Sequence, residues 1–215
     1  MAGLAGIVAA TLLISPSGAL SPGPLSTSAV ILGARGRGLR EGLLVALGHT
    51  AFELPYVYLL VRSITYVSAI HEAREALTLV SAAFIFFFAY MTLRDALRGA
   101  RPGAGNEGPV YGAFAAGLLL TGLNPFFLAW WPSVAMPILE DTAMLGGVGF
   151  AAMYASHVWY DFAWLGLLAY AGRKGTEALE GRLYGILLGL FAAMLMVFGA
   201  DMLLRTFMGY GVLPF

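Results

Sequence analysis

Long runs of apolar residues, separated by short polar stretches, dominate the chain. A helix that crosses a bilayer needs about 20 mostly apolar residues. Six segments meet that requirement, at residues 2–33, 42–61, 76–97, 110–139, 143–171 and 183–208. The pattern therefore predicts an all-α integral membrane protein with six transmembrane helices.

The composition supports this class and excludes others. Apolar residues make up 60% of the 215 residues, charged residues only 11%, and the mean hydropathy is +0.81. So little charge could not cover a soluble globular domain, and disorder requires low hydrophobicity. Twelve Lys and Arg balance twelve Asp and Glu, so the basic surplus of a nucleic-acid-binding protein is missing. The chain has no cysteine, which excludes thiolate metal sites and thiol redox chemistry.

The distribution of Lys and Arg between the predicted spans indicates an orientation. Nine of them follow the first, third and fifth spans: Arg35, Arg37, Arg40, Arg94, Arg98, Arg101, Arg173, Lys174 and Arg182. Three lie on the opposite side: Arg62, Arg74 and Arg205. Because cytoplasmic loops carry the excess of positive charge, we expect the larger group in the cytoplasm and both termini outside.

Two of the predicted spans contain helix-breaking residues. The first span contains Ser21-Pro22-Gly23-Pro24, and the fourth contains Asn124-Pro125. Proline removes a backbone donor and pushes the preceding residue out of helical geometry. We therefore expect each of these spans to consist of two half-helices. The alternative is a continuous helix with a simple kink, which is common for proline in membrane helices.

The next span of each half carries a histidine and a carboxylate four residues apart, which places both side chains on one helix face. These are His49 with Glu53 and His157 with Asp161. Both pairs lie near the midpoint of their span, where a charge costs at least about 2.5–3.5 kcal/mol. A functional role would explain why these charged residues are retained inside the membrane despite that cost. A local ion pair within each helix is the alternative, and the two interpretations are compatible.

The plan of broken helix, His/carboxylate helix and plain helix thus occurs twice. We predict two inverted three-helix repeats, residues 1–97 and 110–215, joined by a Gly/Pro-rich cytoplasmic linker at 98–109. Paired interrupted helices in two inverted halves are typical of a transporter's binding site. A His–carboxylate pair can hold or pass a proton near neutral pH.

Further candidate residues surround these features. Asn124 is either a substrate contact or a cap of the second half-helix, and Ser26 begins a helix whose N–H groups suit a carboxylate. Tyr56 shares the face of Glu53 but is more typical of packing. We expect Trp130 and Trp131 to anchor the fourth span at the membrane interface. Asp201 and Arg205, four residues apart near the end of the last span, are expected to form a structural ion pair.

The chain resembles the lysine-exporter (LysE/RhtB) family of amino-acid translocators. The likeness lies in the first and second spans, PGPLSTSAVILGARGRGLREGLLVALGHTAFE, and in the fourth, GLLLTGLNPFFLAWW, and covers about residues 4–207. The family positions are Pro22, Gly23, Pro24, Asn124 and Pro125; Phe126 stands where the family commonly has lysine. The resemblance implies a six-span carrier in the plasma membrane of a prokaryote that exports small amino acids in exchange for protons.

We therefore expect a secondary exporter of amino acids or similar solutes, working by alternating access, with its binding site at these positions, Ser26, Tyr56 and the two His–carboxylate pairs. The alternative is a divalent-cation carrier with His49, Glu53, His157 and Asp161 as ligands. No phosphate-binding loop or hydrolase motif is present, so we expect neither an enzyme nor a cofactor. The expected partners are the solute, protons and the lipid bilayer, without nucleic acid; a monomer and a homo-oligomer both stay open.

Overall fold

Helices make up the described secondary structure of the computed structural model, which covers residues 3–21, 23–62, 74–98, 110–177 and 182–212. In chain order they are α1 Leu4–Ala19, α2 Pro24–Arg35, α3 Leu39–Arg62, α4 Arg74–Leu97, α5 Val110–Gly122, α6 Pro125–Ser133, α7 Met136–Met144, α8 Gly146–Glu177 and α9 Arg182–Phe207. Pro22 and the predicted linker after Arg98 lie outside the described residues.

Both predicted breaks are present in the backbone. The axes of α1 and α2 are bent by 70°, and those of Gly112–Gly122 and Phe126–Ser133 by 57°. Each new half-helix begins with proline at its first position, where the missing N–H costs nothing. The predicted fourth span ends earlier than expected, because α6 stops at Ser133 and a separate short helix, α7, follows.

Among the described residues, three helices are long and apolar enough to cross a membrane, and up to five spans result if each bent pair counts as one. These three are α3, α4 and the Gly185–Phe207 part of α9. The 32-residue helix α8, which corresponds to the predicted fifth span, is not in that set. The protein is thus an all-helical membrane protein, whereas six spans in two inverted repeats stay a prediction.

The helices pack across the two halves of the sequence. The closest partners are α4 with α9, α3 with α5, α2 with α8, and α3 with α8. Large apolar side chains such as Leu13, Phe87 and Leu190 are exposed on the outside of the bundle. That distribution is typical of a surface that faces lipid, with polar groups turned inward.

Glycines set the distance between α3 and α5. A Cβ atom at Gly48 would collide with the carbonyl oxygen of Phe114, and one at Gly117 with that of Val45. Small residues allow two helix backbones to approach this closely inside a membrane. The contact matters for function because it brings α5 against the stretch of α3 that carries His49.

Candidate functional site

The two His–carboxylate pairs meet in one cluster inside the bundle. His49 and Glu53 come from α3, and His157 and Asp161 come from α8; we call these four residues the central quartet. Their exposed fractions are 4%, 1%, 2% and 4% in that order. The close packing of α3 on α8 therefore joins the two predicted pairs in one buried site.

Each histidine of the central quartet contacts both carboxylates. His49 Nε2 lies 3.3 Å from Glu53 Oε1 and 3.7 Å from Asp161 Oδ1. His157 Nε2 lies 3.2 Å from Glu53 Oε1 and 3.4 Å from Asp161 Oδ2. Among the described residues, the two histidines are the only basic side chains at ion-pair distance from these carboxylates, and they carry a charge only when protonated.

Hydroxyl groups from two other helices orient the imidazole rings. His49 Nδ1 lies 2.8 Å from Thr121 Oγ1 at the end of α5, and His157 Nδ1 lies 2.8 Å from Ser15 Oγ in α1. Thr121 in turn donates its hydroxyl hydrogen to the carbonyl of Gly117, 2.6 Å away. Each broken helix thus supplies one hydroxyl that fixes the ring of one histidine.

Glu53 has two further donors. Trp131 Nε1 donates to Oε1 at 3.1 Å, and the Tyr154 hydroxyl donates to Oε2 at 3.1 Å. Trp131 is only 1% exposed, so its prediction as an interface anchor is wrong. The bend before α6 turns this short helix into the bundle, and the indole reaches the carboxylate instead of the membrane surface.

A cavity of about 340 Å³ lies beside the central quartet. All four members line it, together with residues at both helix breaks, among them Gly23, Pro24, Ser26, Asn124 and Phe126. The predicted site residues at the two breaks therefore share one space with the quartet. Pro22 lies outside the described residues.

Asn124 acts as a helix cap in this structure. Its Oδ1 atom accepts hydrogen bonds from the backbone N–H groups of Phe126 at 3.0 Å and Phe127 at 3.4 Å. This contact satisfies the start of α6, which begins at Pro125. Asn124 also lines the cavity, so the capping role and a place at the site coexist.

Tyr56 is not among the side chains that line the cavity. Its hydroxyl donates to the carbonyl oxygen of Leu128, and its ring stacks on Phe52 with ring centroids 5.8 Å apart. Tyr56 lies three residues after Glu53 on α3, and its hydroxyl is directed at a carbonyl of α6 instead of at the quartet. Packing, the alternative considered for this residue, describes its contacts.

The cavity wall also carries an ion pair that the sequence analysis assigned to structure alone. Arg205 Nε lies 2.6 Å from Asp201 Oδ2 on α9. Both residues line the cavity with Phe198 and Met202. Only the fold could identify this position, because α9 meets the cavity through its packing on α4 and α2.

Comparison with known families gives the class of protein. The LysE type translocator family matches residues 16–206. The chain belongs to this family. Family membership makes it a membrane transporter and, at this level, not an enzyme, with a small molecule as the expected cargo. Searches of curated proteins and of solved structures returned no match.

Proposed function

We propose that this translocator is a secondary active exporter of amino acids or similar small solutes, working by alternating access in exchange for protons. The observation that carries the proposal is the shared cavity of about 340 Å³, which has the central quartet on one side and both helix breaks on its wall. That volume lies in the range of about 300–1,000 Å³ found for small-molecule sites.

The wall offers groups for both ends of an amino acid. The first turn of α2 begins at Pro24, and the N–H groups of a helix start attract a carboxylate. The corresponding start of α6 already receives the Asn124 side chain. We therefore infer that the substrate carboxylate binds near Pro24 and Ser26.

The substrate ammonium group would then face the central quartet. Asp161 is the suitable acceptor, because its Oδ2 atom is buried and has no hydrogen-bond partner in the described part of the chain, whereas Glu53 accepts from Trp131 and Tyr154. Return of a proton on the quartet would displace the ammonium group and reset the carrier. The pairing of two breaks in two halves supports rocking of the halves about this centre.

The test is export measured in proteoliposomes. A panel of amino acids would be offered with an imposed pH gradient, and we expect accumulation of at least one that collapses when the gradient is dissipated. Glu140→Gln is the matched control, because Glu140 is an exposed carboxylate on α7 that does not line the cavity. Folded protein that moves no amino acid under any gradient would contradict the proposal.

A further inference from the structure

The donor atoms of the central quartet are spaced like the ligands of a metal ion. His49, Glu53 and Asp161 each offer one donor atom, and all three atoms lie within 4.8 Å of one another. His157 Nε2 adds a fourth donor, 3.2 Å from Glu53 Oε1 and 3.4 Å from Asp161 Oδ2. Tetrahedral coordination with bonds of about 2.0–2.1 Å places neighbouring donors about 3.3–3.4 Å apart.

The hydrogen bonds of His49 favour the tautomer that a metal needs. Thr121 Oγ1 gives its hydrogen to the Gly117 carbonyl and can therefore only accept from His49 Nδ1. With the proton on Nδ1, the neutral ring has a lone pair on Nε2, which lies 3.3 Å and 3.7 Å from two carboxylates and has no hydrogen-bond partner among the residues that the structure describes. A lone pair that faces two anions is unfavourable, and either a proton on Nε2 or a metal cation between the groups relieves it.

The carboxylate of Glu53 is held in place from outside the quartet. Trp131 and Tyr154 each donate to one of its oxygens at 3.1 Å. Outer contacts of this kind, with Ser15 and Thr121 on the histidines, are what orients the ligands of metal sites in proteins. The cluster therefore has both a donor set and the surrounding contacts that fix it.

The charge of the cluster points to the charge of the ion. Two carboxylates with two neutral imidazoles carry a formal charge of −2 in a buried position. One divalent cation balances that charge without leaving a net charge inside the bundle. Two nitrogen and two oxygen donors without sulfur suit first-row ions such as Zn²⁺, Mn²⁺ or Co²⁺.

We propose that the central quartet binds one divalent first-row transition-metal ion through His49 Nε2, His157 Nε2 and the carboxylates of Glu53 and Asp161. The inference does not depend on amino-acid export. A metal bound there is either cargo or a fixed part of the cavity wall, and transport measurements separate these two cases. In both cases it would occupy the place that the proposed function gives to the ammonium group at Asp161.

Binding would be measured on the full chain, purified in detergent without a histidine tag. We expect Zn²⁺ titration calorimetry to give one site per chain, and Co²⁺ to give the visible absorption bands of a tetrahedral ion, displaced by Zn²⁺. His71→Ala should bind as the unchanged chain does, because it removes the only other histidine of the sequence.

Variants separate a metal site from a proton-bearing network. Asp161→Asn and His157→Gln should each abolish the Co²⁺ spectrum. Thr121→Val leaves all four donors in place but removes the contact to His49, and we expect affinity about 10- to 100-fold weaker. Thr142→Val is the control, since Thr142 is a buried threonine whose hydroxyl has no hydrogen-bond partner.

The outcomes are distinct from those of the export test. Folded wild-type protein without bound Zn²⁺ or Co²⁺, or equal binding by Asp161→Asn, overturns the metal site and leaves amino-acid export untouched. One bound ion, lost with the quartet variants, supports it. If vesicles then accumulate Zn²⁺ and no amino acid, the metal is cargo; the proposed function fails and the site stands.

Discussion

Glu53 and Asp161 hold the same position in the two halves of the sequence, four residues after a histidine, but their surroundings differ. Glu53 accepts hydrogen bonds from Trp131 and Tyr154, and both of its oxygens are used. Asp161 has the two histidines within 3.4 Å and 3.7 Å, and its Oδ2 atom has no hydrogen-bond partner among the described residues. Glu53 thus has a donor on each oxygen, whereas one oxygen of Asp161 has none.

The difference leads us to expect that Glu53 positions the cluster and that Asp161 binds. Donors on both oxygens of Glu53 fix this side chain from outside the quartet. We expect Asp161 to take up a proton, an ammonium group or a metal ion, since a buried oxygen without a donor is costly to leave in that state. The two motifs look equivalent in the sequence, and the expected difference between their roles can be tested.

The largest expected effects come from neutralising each acid. Asp161→Asn and Glu53→Gln should both reduce pH-driven transport to the level of liposomes without protein. Only Glu53→Gln should also destabilise the protein, by about 1–3 kcal/mol. A glutamine side chain has one acceptor oxygen, so its NH₂ group would face either the Trp131 or the Tyr154 donor. The thermal midpoint in detergent and the transport rate would be measured together.

In the same experiment, Asp161→Asn should keep or raise the thermal midpoint, since it removes a buried charge and loses no hydrogen bond of Oδ2. Equal loss of stability in both variants would contradict the contrast. Transport at the unchanged rate in both would mean that the two acids are only ion-pair partners.

The next variant removes one donor to Glu53 and keeps its charge, so we expect an effect on stability without the loss of transport that follows neutralisation of the acid. Tyr154→Phe should lower the free energy of unfolding by about 1–3 kcal/mol, because it leaves Oε2 of a buried carboxylate without its donor. Tyr58→Phe is the control, since it makes the same change at a half-exposed tyrosine whose hydroxyl has no hydrogen bond among the described residues. Chemical denaturation of the detergent-solubilised protein measures both, and equal shifts would show that the donor to Glu53 adds nothing to stability.

The sequence predicts the helix breaks because proline acts locally. Pro24 and Pro125 favour the first position of a helix, because the N–H that proline lacks has no partner there. The preference is not absolute, since Pro16, Pro55 and Pro132 lie inside helices. Placing His49 and Glu53 on one face likewise needs only the helical repeat. These are the parts of the site that sequence reasoning could reach, together with the membrane class given by hydropathy.

Contacts between helices depend on the whole bundle and were beyond that reasoning. Trp131 looked like an interface anchor because aromatics near the end of a span usually are; the 57° bend turns it inward. The tight contact of α3 on α5 rests on Gly48 and Gly117, which lie in a chain with 28 glycines and no mark that separates them. Similarly, nothing local places Asp201 at the cavity wall.

The smallest effect in this series is expected at the ion pair of α9, which lines the cavity and lies outside the quartet. The pair joins Arg205 Nε and Asp201 Oδ2 at 2.6 Å, with side chains 27% and 8% exposed. The double variant Asp201→Asn with Arg205→Gln removes both charges and keeps hydrogen-bonding groups, so stability should fall by no more than about 1 kcal/mol. Transport should persist with a raised half-saturation concentration, because the pair lines the wall and lies outside the quartet.

Asp201→Asn alone should raise the half-saturation concentration more than the double variant does, since it leaves an uncompensated cation beside the bound solute. Initial transport rates over a range of substrate concentrations measure this order. If the double variant were as inactive as Asp161→Asn, Asp201 and Arg205 would belong to the proton or substrate site together with the quartet.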